Sequence, residues 1–86
     1  MITEEQYLKL KNFERPLLTT KRAGYAHISP ADFRKMLRIY YGEDYEKKVP
    51  KNVFSCSYCK LQCMTEIAID YFKYERQLNT DSSTAQ

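Results

Sequence analysis

The chain has 86 residues, no Trp, eight Tyr, four Phe, three Cys and a formal net charge of +3. A chain of this length makes one domain with a thin core, burying only about 60% of its unfolded surface, which leaves little room to wall off a catalytic pocket. Two Gly, three Pro and sparse period-two alternation argue against a sheet protein, no apolar run approaches the roughly 20 residues of a membrane span, and an all-α fold is expected.

The opening stretch, MITEEQYLKLKNFE, carries acids where a secretory leader carries bases. Thr3 with Gln6 makes a capping-box pattern, and Glu4 and Glu5 suit the positive end of a helix dipole. A first helix is expected over about Glu4 to Glu14, with Tyr7, Leu8, Leu10 and Phe13 facing inward. Pro16 ends or kinks it, because proline lacks an amide proton and disfavours helix at the preceding residue. A short second helix is expected from Leu17 to Ala23, with Pro16 as its first residue and Gly24 as a left-handed stop.

After a connector from Tyr25 to Ile28, Ser29-Pro30-Ala31-Asp32 is the strongest helix start in the chain, with an N-cap Ser, Pro at the first position and an acid at the third. The helix it opens should reach Tyr41 and stop at Gly42. Phe33, Met36, Leu37 and Tyr40 fall on one face, and Arg34, Lys35, Arg38 and Tyr41 on the other. Glu43 to Asn52 is charged and broken by Pro50, and is expected to be a loop.

The longest helical pattern begins between Asn52 and Ser57 and runs to about Leu78. Cys56, Cys59, Cys63, Ile67 and Tyr71 step down one side at helical spacing, beside Leu61, Met64, Ala68 and Phe72. Lys60, Glu66, Asp70, Lys73 and Arg76 fall largely on the watery side. The expected architecture is a small bundle of three main helices plus one short helix, with the long C-terminal helix as its spine. Residues 1–79 would form a single domain and 80–86 a disordered polar tail.

Three sets of residues carry chemistry. The first is the cysteine cluster, C-x2-C-x3-C. Its odd count and close spacing do not match a secreted disulfide framework, so reduced thiols and a cytoplasmic location are expected. Three thiols are one ligand short of a tetrahedral zinc site. His27, the only histidine, is the one candidate to complete Cys56, Cys59 and Cys63. The favoured expectation is no cofactor, the thiols serving as small core side chains; structural zinc and redox chemistry are the alternatives.

The second set is basic. Between Lys9 and Tyr41 there are eight Lys/Arg against two acids, whereas from Gly42 onward there are six against seven. Arg34, Lys35 and Arg38 on a well-capped helix, with Lys21 and Arg22 on the short helix before it, outline a helix-turn-helix reader of DNA. The third set is the tyrosines Tyr40, Tyr41, Tyr45 and Tyr74, which would anchor a protein partner, or a second copy in a homodimer, if they lie at the surface. No Gly-rich phosphate loop, nucleophile elbow, HExxH or isolated carboxylate pair is present, so the expectation is a non-enzymatic binding protein.

Two resemblances accompany this reading. The segment PLLTTKRAGYAHISPADFRKMLR resembles the start of excisionase-type helix-turn-helix proteins, although it is one residue shorter between Thr19 and Ile28 and has Gly24 within the family's helix interior. Over Arg22 to Tyr74, the order Gly24-Tyr25, Ser29, Ile39-Tyr40, a charged loop, Cys56-x-x-Cys59 and Tyr71-Phe72 is similar to small open reading frames of tailed phages and prophages. The second resemblance implies a phage or mobile-element origin, hence the bacterial host cytosol, and carries no assigned activity; with the basic helix face, a DNA-binding or regulatory protein is expected. The alternative is an interaction module that docks on a host or virion protein without touching nucleic acid.

Overall fold

The computed structural model describes residues 2–84, with side chains through residue 79. Thr3 and Gln6 form the expected capping box, and α1 spans Glu4–Leu10. It is shorter than expected because a 3-10 turn at Lys11–Phe13 interrupts it, and α2 then spans Glu14–Ala23. Pro16 accounts for both facts. Its ring crowds the carbonyl of Asn12 and removes the bond that carbonyl would have accepted, which pushes the turn before it out of α geometry. As the third residue of α2, however, Pro16 lacks only an amide that no helix residue would have bonded, so α2 begins at Glu14 rather than at the proline.

α2 stops at Gly24, whose φ of 74° is the left-handed conformation expected there. α3 spans Pro30–Tyr41, with the Ser29 hydroxyl accepting from the Asp32 amide, and it ends at Gly42. α4 spans Ser57–Thr84. Among the described residues there is no strand, and no helix is long and apolar enough to cross a membrane. The polar tail expected over 80–86 falls beyond the described side chains.

One hydrophobic cluster serves all four helices and the connector between the last two. α4 supplies Cys63, Met64, Ile67, Ala68 and Tyr71; α2 lies along it with Leu17, and α1 adds Tyr7 and Leu10. α3 packs against α1 and buries Phe33, Met36 and Leu37. Leu8, expected inside, is 56% exposed. With only seven residues, α1 turns a narrow stripe of Tyr7 and Leu10 inward, and position 8 lies one hundred-degree step off it (roughly).

The connector from Glu43 to Asn52 is more ordered than its composition suggests. Tyr45 opens a 3-10 turn at Tyr45–Lys47, and Tyr45, Val49 and Val53 are all buried. Lys48 Nζ donates to the Tyr41 carbonyl at 2.8 Å, tying the connector to the end of α3.

Candidate nucleic-acid interface

Ser29 and Pro30 fix where α3 begins, and burial of Phe33, Met36 and Leu37 fixes its rotation. Arg34, Lys35 and Arg38 are thereby turned into solvent. Two clefts flank them. One, of about 750 Å3, lies between α3 and the connector and is lined by Arg34, Arg38, Lys47 and Lys51, with Phe54 in its wall. The other, of about 780 Å3, lies between α3 and the α1–α2 junction and is lined by Lys9, Arg15, Lys35 and Arg38. Arg38 belongs to both, so α3 forms a basic ridge with a cationic groove on each side.

Acids on this face are peripheral, and the closest, Glu5, meets Lys9 at 3.1 Å in an exposed i, i+4 pair. Glu46 lines the first cleft and Asp32 the second, while the Glu43 carboxylate reaches Arg38 Nε only at 4.0 Å and stands almost fully in solvent. An exposed pair of this kind contributes little and is readily exchanged for another anion. Phe54 is 42% exposed, edge-on to Phe33, with the Arg34 guanidinium 5.2 Å from its ring centre. A planar cation and an accessible aromatic ring beside Lys47 and Lys51 make a surface on which a base can stack while its phosphates are held.

The basic residues expected on α2 are elsewhere. Because α2 lies along α4, Lys21 sits 4.7 Å over the Phe72 ring and lines a separate groove with Ile69, Lys73 and Arg76. Arg22 is exposed in the last turn of α2. The structure does not bring Lys21 to the ridge, and α3 takes α1 as its main helical neighbour instead of α2. The cations that do flank the ridge, Lys9, Arg15, Lys47 and Lys51, were not singled out from the sequence. A signal for the last two existed in the four-residue spacing of Tyr45, Val49 and Val53, which pins the connector against the core.

Of the four tyrosines expected at a surface, Tyr45 is not there. Tyr45 is only 4% exposed, because it is the residue that seats the connector. Tyr40, Tyr41 and Tyr74 are half-buried. Tyr40 donates to Asp70 in a short hydrogen bond, Tyr41 donates to Glu66 at 2.7 Å, and the Tyr74 ring lies 5.0 Å from that of Tyr7. These rings join helices within the molecule.

The thiols divide. Cys63 is buried, as expected of a core side chain, but Cys56 and Cys59 are half-exposed. His27 is exposed on the connector before α3, beside Pro16, Ser29 and Asp32. Among the described residues no group of three or more His, Cys, Asp or Glu side chains is placed to hold a metal ion. The structure therefore does not assemble Cys56, Cys59, Cys63 and His27 into one site. No family model matches the chain, and neither a curated protein nor a solved structure matches it.

Proposed function

We propose that this is a nucleic-acid-binding protein that grips phosphates along the α3 ridge. The observation that carries the reading is the convergence of cations from three parts of the chain on one face: Lys9 and Arg15 from the α1–α2 region, Arg34, Lys35 and Arg38 from α3, and Lys47 and Lys51 from the connector. A solvated helix face explains the α3 residues alone. It does not explain why the neighbouring elements add cations to both flanking grooves. Docking on a protein through Tyr40, Tyr41, Tyr45 and Tyr74 has less support, because Tyr45 is buried, the Tyr40 and Tyr41 hydroxyls bond to α4, and the Tyr74 ring lies against Tyr7.

The test is binding to a labelled duplex and a labelled single strand, by fluorescence anisotropy, between about 50 and 200 mM salt. Affinity should fall steeply over that range, since each neutralised phosphate releases counterions. Replacing Arg34, Lys35 and Arg38 together with Ala should lower the slope of log K against log salt by about two to three and leave helicity intact. Lys21→Ala should leave binding unchanged, because Lys21 faces α4. Failure to bind either nucleic acid, or a slope unmoved by the triple substitution, would overturn the reading.

A further inference from the structure

The first turn of α4 holds two thiols in different surroundings. Cys56 immediately precedes the helix and acts as its N-cap: its sulfur accepts from the Cys59 amide at 3.2 Å, and its carbonyl accepts from the Lys60 amide at 3.0 Å. Cys59 lies one turn on, its thiol 3.7 Å from the Asn52 side-chain carbonyl. The Cα atoms of residues three apart on a helical turn stand about 5 Å apart, inside the roughly 4.4–6.8 Å that a disulfide spans. Cys56 and Cys59 are both half-exposed, whereas Cys63 is 5% exposed and closed in by the core.

The two environments give the sulfurs different characters. The thiol of Cys59 and then its amide, both hydrogen-bonded to Cys56, hold the Cys56 thiol below its usual range, and the positive end of the helix dipole favours the same anion. The Cys59 thiol is pushed up, first by its hydrogen bond to Cys56 and then by desolvation. Cys56, whose sulfur accepts from the Cys59 amide at the start of the helix, is therefore the better placed of the two to carry the negative charge. A pair used only as core filler has no need to be accessible, and Cys63 already fills that part of the core.

We propose that Cys56 and Cys59 form a thiol–disulfide exchange site that reduces small disulfides of the glutathione type, Cys56 attacking and Cys59 resolving. In the first step the Cys56 thiolate attacks one sulfur of R–S–S–R. The substrate's S–S bond breaks, the leaving thiolate takes a proton from water, and a mixed disulfide remains on Cys56. In the second, Cys59 loses its proton to solvent and its sulfur attacks Cys56 Sγ, expelling the second thiolate, which takes up a proton from solvent. Two electrons pass from the cysteine pair to the substrate, two R–SH are released, and the Cys56–Cys59 disulfide is left.

The experiment uses the full chain, reduced and then exposed to oxidised glutathione, with thiols quenched in acid and products mapped by peptide mass spectrometry. Wild type should lose two hydrogens and yield a Cys56–Cys59 peptide with Cys63 still free. Cys59→Ser should stop at a glutathione adduct on Cys56, and Cys56→Ser should react on the order of tenfold more slowly. Serine is itself a good N-cap, so the fold should survive the second change. Independently of any variant, iodoacetamide near neutral pH should label Cys56 before Cys59 in wild type. A stable glutathione adduct on wild type without ring closure, pairing through Cys63, or equal reactivity of Cys56 and Cys59 would each overturn the proposal.

Discussion

Four tyrosines end in carboxylates that belong to other helices or to distant turns of the chain. Tyr40 meets Asp70, Tyr41 meets Glu66, Tyr71 meets Glu14, and Tyr7 meets Glu75. Each pair has one member on α4, so the hydroxyls tie α1, α2 and α3 to the spine while the rings fill the core. Burial first, then the hydrogen bond to Asp70, pushes the Tyr40 phenol well above its usual range; burial followed by Glu66 does the same for Tyr41, and burial followed by the charge of Glu14 does so for Tyr71. An acid raised in the folded state gives stability that is complete below its unfolded value, near pH 10 for tyrosine, and is lost as pH rises beyond it, because the unfolded chain ionises first. Melting temperature should hold to about pH 9 and fall above about pH 10, with phenolate absorbance rising as helicity is lost. Phenolate formed in full while helicity persists would contradict this. Tyr40→Phe should cost about 1–2 kcal/mol by chemical denaturation, since it leaves the half-buried Asp70 without its donor, and Tyr41→Phe less than about 1 kcal/mol, because Glu66 regains water. None of this was legible in the sequence. Asp70 and Glu66 fall off the apolar stripe of α4 and read as solvated charges until α3 is seen to bring its last two side chains across.

The helix boundaries were legible wherever a local rule sets them. Ser29 and Pro30 start α3, and Gly24 and Gly42 end helices with positive φ values of 74° and 100°. At Gly24 an added Cβ would meet nothing within 4 Å, so Gly24→Ala isolates the backbone strain and should cost about 1–2 kcal/mol in an equilibrium unfolding curve. Gln6 shows what a local rule omits. Its side-chain oxygen accepts from the Thr3 amide at 2.8 Å, completing the capping box, while its nitrogen donates to the Ile39 and Tyr40 carbonyls at 3.0 and 3.2 Å. One carboxamide thus serves the start of α1 and the end of α3. A capping box accepts Glu as readily as Gln, yet Gln6→Glu would set a carboxylate against two carbonyls. It should destabilise by about 1–3 kcal/mol, measured by urea denaturation, and Gln6→Ala should do less harm. The sequence pattern is indifferent between Glu and Gln; the tertiary contact is not.

At the scale of the molecule, α4 is the spine that its stripe of apolar residues foretold, although Cys56 caps the helix rather than joining its buried face. The basic ridge was legible in part. Arg34, Lys35 and Arg38 follow from the rotation of a single amphipathic helix, whereas Lys9, Arg15, Lys47 and Lys51 join them only through the packing of α1, α2 and the connector around α3. Lys21 leaves that set for the same reason, since α2 runs along α4. The length of the spine has a hydrodynamic consequence. Its 28 residues span about 42 Å at helical rise, and the molecule measures 47 by 28 by 17 Å, so α4 must run close to the longest axis. A body of these proportions tumbles slowly end over end and quickly about its length. Amide bonds within an α-helix point along its axis, and those of α4 should therefore show a higher ratio of transverse to longitudinal nitrogen relaxation than amides oriented across the molecule.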